Sequence, residues 1–298
     1  MDKITTKEQA LAAVKNDAKA IKYVPGELMT TEMFLTVVKE DYMVLEHLKH
    51  APELMTAELC LAAVENNSHA LKYVFDELKT VDLCLAAVQK GGRALEYVPK
   101  ELKTAELCLA AIKNCGEALK YVPKDHKTAE LCLAAVQQQH YGKALKYVPD
   151  EHKTSELCLT AVQNGYISLQ YVPERLKTEE MCFIAVLNYD KMLEYVPDKF
   201  KTEEICLAAV KKSIYNFKYI PKEIQTDNLI SASIEGVENT YLILGENPSY
   251  TSKECAFEAV QDKATSIKFV AKELITKELI RVFIDSLNQD QKLTQFLF

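Results

Sequence analysis

One phrase, Thr-Ala-Glu-Leu-Cys-Leu-Ala-Ala-Val at residues 56–64, returns with variation along the whole chain. Numbered from its Thr or Ser as position one, a unit starts at Thr6, Thr30, Thr56, Thr80, Thr104, Thr128, Thr154, Thr178, Thr202, Thr226, Ser252 and Thr276. The interval is 24 residues except at three places, where it is 26. Self-similarity at this period is the mark of a solenoid, in which each unit buries its apolar face only by stacking on its neighbours.

Within a unit, the leading Thr supplies an N-cap oxygen, and an acid at position three (Glu58, Asp82, Glu106, Glu130, Glu156) sits where the helix dipole favours negative charge. A helix of about ten residues follows. Its Leu-Cys-Leu-Ala-Ala-Val run covers nearly the whole circumference, which predicts burial between neighbouring helices rather than an amphipathic face. Asn and Gly after the run (Asn66, Gly91, Gly92, Gly116, Gly165) are suited to a left-handed C-cap. A short second helix, α or 3₁₀, then reads Ala-Leu-x-Tyr-Val. Pro at 25, 99, 123, 149, 173, 197 and 221 ends it and resets the chain. The last unit lacks both Cys and Tyr-Val-Pro, as an atypical terminal cap should. The expected fold is therefore an all-α, superhelical α-solenoid of about twelve two-helix repeats, running as one domain over residues 1–298.

Composition narrows the function classes. A net charge of −7 argues against a nucleic-acid binder that relies on overall positive charge. The first residues carry no apolar run of secretory length and no segment reaches the ~20 apolar residues that span a bilayer, so cytoplasmic residence without a membrane span is the expectation. Nine cysteines, an odd number and no secretory signal suggest free thiols in a reducing compartment.

The unit Thr-x-Glu-Leu-Cys-Leu-x-Ala-Val, then Ala-Leu-x-Tyr-Val-Pro-x-Glu-Leu-Lys, clearest from Thr56 to Lys177, resembles a bacterial repeat family defined only as a domain of unknown function. More loosely, it is similar to leucine-rich variant repeats, which alternate α and 3₁₀ helices. Both resemblances imply architecture, and neither implies an activity.

Residues at one repeat position form ladders. Cys60, Cys84, Cys108, Cys132, Cys158, Cys182 and Cys206 invite a metal or redox reading. Helices pack ~8 to 10 Å apart, whereas a disulfide needs Cα atoms within ~7 Å, so the thiols are expected to be small buried hydrophobes. Of the two remaining cysteines, Cys115 in a turn is expected to be more exposed than Cys255. Tyr23, Tyr73, Tyr97, Tyr121, Tyr147, Tyr171, Tyr195 and Tyr219 are expected to pack between units with the hydroxyl at the rim. His126 and His152 occupy a position otherwise held by Leu, Phe or Ile, and read as partly buried packing residues rather than as metal ligands.

Six consecutive units end in Lys79, Lys103, Lys127, Lys153, Lys177 and Lys201. Such a stripe could meet an acidic tail or phosphates, or each Lys could lie near the position-three acid of the following helix as a solvated mixed-charge face. The turn between helices varies most from unit to unit, which makes that edge the place to seek contacts. Its candidates are His140, Tyr141, Leu187, Tyr189 and Tyr215. No nucleophile–base pair, phosphate loop or clustered ligand set is legible, so no enzyme activity, cofactor or metal is expected. The reading is a noncatalytic scaffold that offers an extended surface to an unidentified protein or peptide. The alternative is polyanion or nucleic-acid binding along Tyr and Lys rungs, disfavoured by the acidic balance.

Overall fold

A computed structural model describes residues 4–138, 142–234, 252–262 and 264–296. Its contacts divide the chain into two compact units, Met1–Lys153 and Thr154–Phe298. Each is an all-α stack of repeats. The first holds α1 (Lys7–Asn16), α2 (Thr31–Val37), α3 (Ala57–Asn66), α4 (Val81–Lys90), α5 (Ala105–Asn114) and α6 (Ala129–Gln137). The second holds α7 (Ser155–Asn164), α8 (Glu179–Asn188), α9 (Glu203–Lys212), residues 227–234 (α10), α11 (Lys253–Asp262) and α12 (Lys277–Phe296). No helix among the described residues is long and apolar enough to cross a membrane.

Apart from the second, the repeats begin with the expected cap. The Thr56 hydroxyl accepts from the Leu59 amide at 3.2 Å, and Thr80, Thr104, Thr128, Thr154 and Thr178 repeat the bond at the same distance. This satisfies one of the amides that a helix start leaves without an internal partner. Thr30 makes no such bond, and α2 is only seven residues long.

Among the described residues, two 3₁₀ helices, not one, connect α1 to α2 and so on through α9. The first spans Gly92–Tyr97 or Gly116–Tyr121, and the second is a single turn after the proline, Lys100–Leu102 or Lys124–His126. Pro99 and Pro123, with φ of −53° and −56°, cap the second turn, so the proline starts a new 3₁₀ turn as it ends the old one.

The α-helices of a unit pack on one another in one layer and the longer 3₁₀ helices in a second. Within the first unit, α4 lies against α5, residues 92–97 lie against residues 116–121, and α5 touches both 3₁₀ helices. The core lies between these layers. Positions four, five, eight and nine of the α-helices fill it: Leu59, Cys60, Ala63 and Val64, then Leu83, Cys84, Ala87 and Val88, all buried. Leu71, Leu95 and Leu119 come from the other layer with no exposed surface.

The turns after α3, α4, α5 and α7 are built differently from the expected left-handed cap. Asn67, Gly91, Cys115 and Gly165 are all extended, with φ between −143° and −159°. Asn67 instead uses its side chain to accept from the His69 amide at 2.9 Å, capping the 3₁₀ helix that follows. Glycine serves close approach here. A Cβ on Gly92 would stand 2.1 Å from the Ala111 carbonyl oxygen, and one on Gly116 would stand 2.2 Å from that of Ala135. Asn114 reinforces the junction, since its amide donates to the Gln89 carbonyl at 2.9 Å and accepts from the Gly92 amide at 2.7 Å.

The last helix departs from the pattern as a cap. α12 has 20 residues where the regular helices have ten, and it buries Leu279, Ile280, Phe283 and Ile284. It packs on α11 and also reaches the 3₁₀ helix Ile214–Tyr219.

Candidate interaction surface

The lysine rungs are not a solvated stripe. Lys177 is buried, at 7% exposure, and the side chains of Lys79, Lys153 and Lys201 are almost as enclosed. Their partners are not the acids of the following helix. Lys79, Lys153 and Lys201 each pair at 2.8 Å with the acid three residues earlier, Asp76, Asp150 and Asp198. Where that earlier residue is itself a lysine, Lys100 or Lys124, the ammonium turns to the next repeat. Lys103 donates to the Tyr121 carbonyl and Lys127 to the Tyr147 carbonyl, both at 3.1 Å. Lys177 does both, with Glu174 and with the Tyr195 carbonyl at 2.6 Å. The 3₁₀ turn explains the inward direction, because the Lys79 amide donates back to the Asp76 carbonyl at 3.1 Å and curls the chain over the repeat junction. Burial holds the ammonium pKa of Lys103 and Lys127 below its ordinary value.

A different row of cations stands at the surface. In the first unit Lys72, Lys120 and Lys146 are exposed, each with Nζ over the ring of the tyrosine that follows, at 5.5, 5.1 and 5.9 Å. These tyrosines, Tyr73, Tyr121 and Tyr147, are half-buried, as expected of rings packed between repeats, whereas Tyr23 departs from that expectation with 67% of its surface exposed. Acids interrupt the row. Glu96 holds a hydrogen bond with Tyr121, whose pKa is pushed up to about 12 by burial first and by that carboxylate second. In the second unit the Tyr219 hydroxyl donates to Glu194 at 3.1 Å.

The seven ladder cysteines are buried thiols outside any disulfide. Burial pushes Cys60, Cys84, Cys132, Cys182 and Cys206 up to about 11, so each remains a neutral thiol that fills space. The expectation for the other two is reversed: Cys255 is exposed and Cys115 only half-buried, because Cys115 sits at the tight turn beside Gly92. His126 and His152 are half-buried, with the Nδ1 of His126 enclosed and lacking a hydrogen-bond partner. Among the described residues no group of three or more His, Cys, Asp or Glu could hold a metal ion.

Of the turn candidates, Leu187 is 46% exposed and Tyr189 half-buried. The Tyr189 ring meets the edge of Tyr166 with centroids 6.3 Å apart, and Tyr166 is itself 43% exposed. Tyr166 escaped the sequence reading, although an aromatic residue just after Gly165, where other turns are polar, was the available signal. Tyr215 is not a free contact residue. Its ring stands edge-on to Phe283 of α12 at 5.7 Å, which makes it part of the terminal packing. His140 and Tyr141 lie outside the described residues.

The larger omission is on the α-helices themselves. Because they form one layer, positions three, six, seven and ten face away from the core. In the first unit Leu61 is 41% and Leu133 37% exposed, and Leu85 and Leu109 are half-buried. The position-seven alanines, Ala62, Ala86, Ala110 and Ala134, are half-buried beside them. Between α4 and α5 this leaves a groove of about 620 Å³, floored by Ala110, walled by Leu85 and Leu109, and edged by Gln89, Glu106 and Lys113. A second cavity of about 480 Å³ opens near the short α2, where Lys19 and Lys22 face Glu40, Asp41 and His47.

The same repeat is what a family model detects. The model described as a domain of unknown function, DUF4116, matches residues 56–103, 104–153, 130–177, 154–201 and 178–225. These matches together span residues 56–225, more than half of the chain. The chain belongs to the DUF4116 family. A search of curated proteins finds no match. The matched DUF4116 repeats thus include α3 to α6, whose outer face carries the leucine ladder, and α7 to α9, where Tyr166, Leu187 and Tyr189 lie.

Proposed function

We propose that this protein is a noncatalytic scaffold that offers its repeat surfaces to a protein or peptide partner. The observation that carries the reading is the recurrence of solvent-facing apolar side chains on a rigid frame: Leu61, Leu85, Leu109 and Leu133 at one position of successive helices. Apolar residues scattered singly over a surface need no explanation, whereas a contiguous row of them marks a contact region. The frame is held by caps and backbone bonds that repeat unchanged while the turns vary, a division of labour that suits recognition. Buried cysteines kept as thiols accord with a reducing compartment, and the cytoplasm is the proposed location.

The test is affinity capture with the full chain, followed by reconstitution of the captured protein with the purified chain. A partner that binds in a defined stoichiometry, and is lost when surface leucines are made polar, supports the scaffold. Failure of a folded chain to retain any protein counts against it.

Polyanion binding is the second reading, favoured only by the exposed Lys72, Lys120 and Lys146 beside their tyrosines. Affinity for a single-stranded RNA that falls steeply with salt would support it. With acids in the same row and a net charge of −7, weak binding at low salt is the expected result.

A further inference from the structure

The outer face of α3 to α6 combines three features in a fixed order along each helix. Position three is an exposed acid: Glu58, Asp82, Glu106 or Glu130. One turn on, position six is the partly exposed leucine. Beside it, position seven is an alanine, which leaves a notch between one helix's leucine and the next. Positions three, six and seven share a face because side chains three and four residues apart are neighbours on a helix. None of the four acids is in an ion pair among the described residues. The carboxyl of Glu130 is held below its ordinary range by its own backbone amide and the Thr128 hydroxyl.

Four notches follow one another from α3 to α6, and the row breaks in the second unit, where the same position is Thr160 in α7 and Ile184 in α8, whose larger side chains occupy the space an alanine leaves, before Ala208 returns in α9. The fold accepts that change, since Ile184 lies in a regular ten-residue helix.

We propose that this face of the first unit binds an extended, basic segment of a partner protein, with an apolar side chain in each alanine notch and Lys or Arg against the acid row. The inference rests on the scaffold reading and names its face and the chemistry of its occupant. Spacing selects the conformation. Adjacent helices repeat at ~8 to 10 Å. A polyproline II strand returns to the same face every three residues, after ~9.3 Å. A β-strand returns after ~6.8 Å or ~13.6 Å and misses alternate rungs, and a partner α-helix, ~10 Å wide, is too thick for a notch between neighbouring helices. In the polyproline II form one face takes the apolar residues, the second takes the cations and the third meets solvent. Four rungs then read about twelve residues.

A library of random twelve-residue peptides displayed on phage, selected against the full chain, is the probe. The enriched peptides should carry Lys or Arg with an apolar residue at every third position. Their synthetic forms should lose tenfold or more in affinity, by fluorescence anisotropy, with Ala86→Ile plus Ala110→Ile, which fill the notches as Ile184 does. Asp82→Lys plus Glu106→Lys should cost as much, and this pair keeps the test decisive if the isoleucines disturb the fold. Absence of enrichment, enrichment of acidic or unpatterned peptides, or affinity unchanged by both pairs overturns the inference. Peptides whose binding survives both pairs and is lost with Tyr166→Ala plus Leu187→Ala also overturn it, and leave the scaffold reading standing.

Discussion

The ammonium of Lys127 lies 3.1 Å from the backbone carbonyl oxygen of Tyr147 in the following repeat. One side chain thereby ties the end of one unit to the last residue of the next unit's 3₁₀ helix, and the charge that looks available for a partner serves the stack. Lys127→Met keeps the buried stem and removes the donor, which leaves the carbonyl without that bond. The expected cost is about 1–2 kcal/mol in urea unfolding. Lys124→Met, at an exposed site, should change stability by less than ~0.5 kcal/mol.

Gly116→Ala should destabilise the chain by about 1–3 kcal/mol, the range for overpacking, because its Cβ would meet the Ala135 carbonyl oxygen at 2.2 Å and backbone must move. Gly26→Ala is the control. Nothing lies within 4 Å of its Cβ, so thermal unfolding should show no loss and up to ~1 kcal/mol of gain from the stiffer unfolded chain.

Thiol reactivity separates packing cysteines from accessible ones. With a chromogenic disulfide reagent at pH 8, the native protein should react promptly at Cys255 and more slowly at the half-buried Cys115, and the seven ladder thiols should wait for unfolding. Prompt labelling of Cys132 in the native state would contradict its assignment as a packing atom.

Alkaline pH should weaken the fold through the same groups. Five ladder thiols are pushed up to about 11 from an ordinary value of 9. Between pH 9 and 11 the folded chain therefore holds protons that the unfolded chain releases, and stability falls as pH rises through that window. Tyr121 continues the trend toward 12. Lys103 and Lys127, held low by burial, act in the opposite sense but are fewer. The denaturant midpoint should be flat between about pH 6 and 8 and decline above pH 9.

What could be read in advance was whatever depends on local chemistry or on the period. The Thr56 cap follows from a hydroxyl placed before an apolar run, and burial of Cys60 follows from its register between Leu59 and Ala63. Direction was harder. Lys127 was legible as a rung, but the 3₁₀ turn that swings it inward is set by the preceding proline and by contact with the next repeat. Gly92 and Gly116 suit left-handed caps because glycine usually serves that need, whereas here the demand comes from a carbonyl 19 residues further along the chain, in the next repeat's α-helix. Leu61 was assigned to the interior from helical circumference alone. A single layer of helices always leaves one face of each in solvent, and position six occupies it.

The central claim is that stability resides in repeated neighbour contacts, so that whole repeats are interchangeable. Deleting residues 104–127 joins Lys103 to Thr128 in register and removes one complete unit. Circular dichroism of this variant should keep the helical signal per residue and a cooperative thermal transition. Deleting only residues 104–115 should abolish both. Loss of helical signal and of cooperative unfolding in the in-register deletion would contradict the account.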